Sequence, residues 1–72
     1  MEEFFKVFAK VPNLKLFVKI HNEKWLINVT YPTQDEKHGD MEAGYGMDQD
    51  RDKAFLMALD GLNKFIKSEV FK

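Results

Sequence analysis

Asp48-x-Asp50-x-Asp52 is the densest run of chemistry-bearing side chains in this 72-residue sequence. Alternating aspartates open one kind of calcium loop, but that loop also needs glycine at its sixth position and glutamate at its twelfth. Counted from Asp48, those positions hold Lys53 and Leu59. The aspartates therefore read as the capped start of a helix, where carboxylates meet free backbone N–H groups and the positive end of the helix dipole. His21, His38 and Asp40 are the remaining candidates for metal ligation or acid–base work. A general base must reach a nucleophile or substrate proton, yet Ser68 is the only serine and stands near neither histidine in sequence. Gly44-Tyr45-Gly46 superficially resembles a phosphate loop. It lacks the third glycine and the GK[ST] lysine, and the aspartates after it would repel phosphate. It reads instead as a tight turn between strand and helix. With no nucleophile, base pair or metal set in view, a non-enzymatic protein without cofactor or metal is expected.

Charge is the other chemical signal. Residues 35–52 hold Asp35, Glu36, Asp40, Glu42, Asp48, Asp50 and Asp52 against Lys37 and Arg51, a net of −5. The flanking segments, 1–34 and 53–72, are each +2. A nearly neutral chain is thus a negative stretch between two mildly positive ends. Asp40, Glu42, Asp48, Asp50 and Asp52 are the candidate contact residues for a protein with a basic surface.

Several classes are disfavoured by composition. No apolar run approaches the roughly 20 residues of a membrane helix. Met1-Glu2-Glu3 lacks a basic leader, so no secretory signal is expected. The absence of cysteine removes disulfides and thiolate zinc sites and fits the cytoplasm. Apolar residues at 44% argue against disorder. One small domain spanning 1–72 is expected. Its core rests on seven Phe, two Tyr and Trp25, and at this size a homodimer or bound partner would add needed burial.

The elements that position these residues follow from periodicity. In 1–11, Met1, Phe4, Phe5, Val7, Phe8 and Val11 share one side at helical spacing, opposite Glu2, Glu3, Lys6 and Lys10. A strand reading would leave Phe4 and Phe8 beside the lysines, so the period favours helix, ended by Pro12. Residues 14–31 alternate as a hairpin turning at Asn22-Glu23 or over His21–Lys24. Ile20 is expected opposite Trp25, Val18 opposite Ile27, Leu16 opposite Val29 and Leu14 opposite Tyr31, all on a buried face, because a one-residue slip would mismatch every pair. The outer face then carries Lys15, Phe17, Lys19, Leu26, Asn28 and Thr30, with Phe17 and Leu26 as diagonal neighbours. That pair is a second candidate contact, for a protein or as a weak single-strand platform. Thr33 to Gly39 is loop-like. Residues 40–46 suit a short third strand with Met41, Ala43 and Tyr45 inward. A last helix runs from the aspartates to about Lys67, with Ala54, Phe55, Ala58, Leu59, Leu62, Phe65 and Ile66 as its buried stripe and Gly61 at the edge.

Helix, three antiparallel strands, helix resembles the double-stranded-RNA-binding domain. The likeness is sharpest at Gly44-Tyr45-Gly46, Lys53-Ala54, Ala58 and Leu59, which look similar to that family's last strand, its Gly-x-Gly turn and the inner face of its final helix. The resemblance implies an α+β fold of order α-β-β-β-α. The family's RNA-contacting lysine cluster does not carry over, because Asp48, Asp50, Arg51 and Asp52 stand there with only Lys53. Phosphate contacts dominate nucleic-acid affinity, so nucleic acid is not the expected partner. A three-stranded sheet with one helix, as in small plant and integrase DNA-binding domains, meets the same objection. The composition also resembles accessory proteins of bacteriophages and mobile elements, several of which inhibit host nucleic-acid enzymes. The expected function is a small protein-binding module, an inhibitor or accessory factor acting through its acidic loop and helix start. The alternative is a nucleic-acid-binding domain using the lysine-bearing sheet face.

Overall fold

The computed structural model of the chain describes residues 2–32 and 39–70. Helix α1 (Glu2–Phe8) is followed by strands β1 (Lys15–His21), β2 (Lys24–Pro32) and β3 (Asp40–Asp48), then helix α2 (Arg51–Phe65), which continues into a π-helical turn (Ile66–Val70). The strands form one antiparallel sheet in the order β1-β2-β3. The protein is α+β, of order α-β-β-β-α. Thr33–His38, expected to be loop and carrying Asp35, Glu36, Lys37 and His38 of the sequence reading, lie outside the described residues, as does Met1.

The hairpin register is the expected one: Ile20 pairs with Trp25, Val18 with Ile27 and Leu16 with Val29. Its turn has two central residues, Asn22 and Glu23, with φ of 51° and 64°. Two successive left-handed residues are what a type I′ hairpin requires, and the twist of that turn matches the flanking strands.

α2 buries the expected stripe from Ala54 to Phe65, with Ala54, Ala58 and Leu62 fully inside, and Ile66, the last of the stripe, is buried at the start of the π-helical turn. It packs on β3 and β2. A helix about 10 Å wide spans only about two strands at 4.8 Å spacing. β1 is thus left beyond its edge. This corrects one expectation: Ile20 and Val18 point to the helix side but remain 63% and 44% exposed. α1 packs beside α2, where Phe4 meets the Phe55 ring edge-on at 5.0 Å. Phe4, Val7 and Val11 are buried, whereas Phe5, expected on the same stripe, is exposed.

β3 departs from simple alternation. A bulge between Val29 and Thr30 of the ladder sets Gly44 opposite Val29 but Glu42 opposite Thr30. Ala43 is the extra residue, and it is buried. An extra residue shifts side-chain parity downstream. Gly44 and Gly46 therefore face α2, and Tyr45, expected inward, faces out. Met41, also expected inward, pairs with the inner Tyr31 but is 41% exposed at the sheet's end. The Gly44-Tyr45-Gly46 segment is strand rather than the expected turn. The glycines let β3 approach α2 closely: a Cβ on Gly44 would stand 2.7 Å from the Ala58 carbonyl oxygen. Gly61 answers from the helix, its Cβ position 3.2 Å from the Gly44 Cα.

Candidate functional site

The five acidic candidates do not converge. Asp40 and Glu42 begin β3, Asp48 ends it, and Asp50 and Asp52 lie beyond that end. Eight residue steps along the strand separate Asp40 from Asp48 by about 25 Å at the usual rise. Much of the helix-start group is engaged locally. Asp50 is the N-cap of α2, its Oδ1 accepting from the N–H of Asp52 at 2.8 Å and of Lys53 at 3.3 Å. Asp48 Oδ1 accepts from the Asp50 N–H at 2.8 Å. Asp52 stands 3.7 Å from the Arg51 Nε. Among the described residues, no group of three or more His, Asp or Glu is placed to hold a metal ion.

The outer face of the sheet brings more together. Its side chains form three cross-strand rows, Lys19–Leu26–Met47, Phe17–Asn28–Tyr45 and Lys15–Thr30–Glu42, with the His21–Lys24 pair beyond the first at the hairpin turn. Phe17 and Leu26 are diagonal, as the sequence indicates. Tyr45 and Met47 join them because of the β3 bulge, and sequence reasoning missed both. The signal was available in the alternating Gly44 and Gly46: a residue type without Cβ marks the face that meets a helix closely, so Tyr45 must face away.

Phe17 is 53% exposed, Tyr45 43% and Met47 36%. No described helix covers this side. Tyr45 Oη donates to Met47 Sδ at 3.8 Å. Lys15 Nζ lies 3.2 Å from Asp40 Oδ2, an ion pair that crosses the outer face from β1 to β3. The face is thus graded: lysines on β1, an apolar and aromatic middle, carboxylates at the start of β3. Between the rings, Asn28 Oδ1 and, one row on, Thr30 Oγ1 are buried atoms without a hydrogen-bond partner. A buried polar atom left unpaired costs roughly 1–3 kcal/mol.

The lysines are divided between layers. Lys15, Lys19 and Lys24 are on the outer sheet face, while Lys64 lies in the last turn of α2, which covers the other face, and Lys67 in the turn that continues it. Lys64 is paired with Asp60 at 3.2 Å. No single described face gathers the cations.

Comparison with protein-family models, curated proteins and solved structures finds no match for this chain.

Proposed function

We propose that this chain is a non-enzymatic protein-binding module whose contact surface is the outer face of the sheet, an accessory factor or inhibitor that works by occupying a partner. The observation that carries this reading is the exposure of Phe17, Tyr45 and Met47 around Asn28 on a face that no described element covers. Aromatic residues and methionine are enriched where proteins meet, and a contiguous apolar patch rimmed by charge marks such a surface. Asp40 and Glu42 at the β3 side suit basic groups on the partner and would steer its approach. Asp48, Asp50 and Asp52 act first as the cap of α2 and contribute to binding only through their field. The cysteine-free composition fits a cytoplasmic setting.

A second reading, single-stranded nucleic acid on the same face, draws on Phe17 and Tyr45 as stacking rings with Lys15 and Lys19 beside them. It is the weaker one, because Asp40 neutralises Lys15 and Glu42 adds a repelling charge on the same face. Site-specific photo-crosslinking separates the two. Benzoylphenylalanine at position 45, against position 56 on the exposed side of α2 as control, is expected to give protein adducts from position 45 alone. Nucleic-acid adducts at 45 would favour the second reading, and equal adduct patterns at 45 and 56 would contradict both.

A further inference from the structure

We infer that the occupant of the outer sheet face is a second copy of this chain, packed face to face about a two-fold axis running along β2. The inference rests on the reading of that face as a protein-binding surface. It follows from how the three rows map onto themselves. A two-fold axis lying midway between two facing sheets and parallel to β2 keeps β2 over β2 and places β1 over β3 of the other copy. Each row then meets its own reverse. Lys15 faces Glu42 of the second copy, Phe17 faces Tyr45, and the Lys19 stem lies over Met47. Leu26 and Asn28 meet themselves on the axis. The contacts of β1 with β3 are of matched chemistry: opposite charges, two aromatic rings, an aliphatic stem on a thioether; Lys24, at the turn end of β2, is the like charge that meets its own copy.

The axis choice is decided by charge. A two-fold across the strands through the middle row would lay β1 antiparallel on β1 and β3 on β3, setting Lys15 against Lys19 of the second copy, like charge on like, and Glu42 against the uncharged Met47. Pairing through the free edge of β1 brings Lys15, Lys19 and His21 of two copies together with no acid on that strand, and edge lysines oppose such pairing. Of these three arrangements, only the axis along β2 sets Lys15 against Glu42.

Asn28 supplies an independent reason. Its Oδ1 is buried and unpaired within one chain, although the residue stands at the middle of an uncovered face. Aligned sheets pack about 10 Å apart, which brings two asparagine side chains end to end. After rotation about Cβ–Cγ, each amide can donate from Nδ2 to the Oδ1 of the other. The two-fold axis makes the exchange reciprocal and leaves neither oxygen orphaned.

The test is sedimentation over a concentration series with wild type, Lys15→Glu, Glu42→Lys and a 1:1 mixture of the two variants. Both positions are exposed, and circular dichroism checks that each variant keeps its fold. Wild type is expected to associate reversibly to a dimer. Each variant alone opposes like charges twice across the interface and should associate more than about tenfold more weakly. The mixture restores both opposite-charge contacts and should recover wild-type association as a heterodimer. A wild type that is monomeric throughout, a dimer indifferent to the single changes, or a mixture that fails to recover would each overturn the inference. If wild type is monomeric yet position 45 crosslinks to another protein, self-association alone falls. If neither is seen, the protein-binding reading falls with it.

Discussion

Gly46 meets Ala54 backbone to backbone: a Cβ on the glycine would collide with the Ala54 carbonyl. This contact seats β3 under α2, and with Gly44 against Ala58 it turns Tyr45 to the outer face. Gly46→Ala should therefore be worse than ordinary overpacking, which costs about 1–3 kcal/mol, because the obstacle is main chain and cannot rotate aside. Tyr45→Ala, on the exposed side of the same strand, should stay within about 0.5 kcal/mol of wild type. Urea melts compare the two, and equal midpoints would mean that β3 does not seat this way.

The helix-start aspartates separate capping from binding. Asp50→Ala removes the acceptor for the Asp52 and Lys53 N–H groups and should lower stability by about 0.5–2 kcal/mol, whereas Asp50→Asn should be nearly neutral because asparagine caps as well. Thermal melts read the difference. A destabilising Asn variant would mean that the negative charge itself, rather than the hydrogen bonds, holds the helix start.

The hairpin turn carries local strain. Glu23 has φ of 64°, a left-handed conformation that costs a residue with a Cβ about 1–2 kcal/mol. Glu23→Gly gives the Asn-Gly pair that type I′ turns favour. Part of the gain is offset by the greater freedom of glycine in the unfolded chain. A net stabilisation of about 0.5–1 kcal/mol is expected, a rise in Tm of roughly 2–8 °C for a domain of this size. A lower Tm would show that the Glu23 side chain does more at the turn than its backbone strain costs.

Local pattern was legible where one period governed. The β1–β2 register followed from alternation, because Ile20, Val18 and Leu16 match Trp25, Ile27 and Val29 at only one parity. The α2 stripe followed from helical spacing. What escaped depended on non-local geometry. The bulge at Ala43 reverses the parity of β3, so Tyr45, inward by simple alternation, faces out in the same row as Phe17. The exposure of Ile20 depended on how many strands one helix covers, which alternation within β1 cannot express. The acidic candidates looked like one surface because they are close in sequence, but a nine-residue strand carries Asp40 and Asp48 to opposite ends of the sheet. Phe17 and Leu26 did fall on the uncovered face, as expected, and the sheet added Tyr45 and Met47 to them.

The most direct measurement is a dilution series followed by two-dimensional amide NMR on the isotope-labelled chain. If the outer sheet face is the contact surface and a second copy its occupant, shifts on dilution should be confined to that face: the backbone amides around Phe17, Leu26, Tyr45 and Met47, and the Asn28 side-chain NH₂. Leu56 and Met57 on the exposed side of α2, and Asp50 and Asp52 at its start, should stay still. Shifts centred on the aspartates or on α2, or a spectrum unchanged across the whole series, would contradict it.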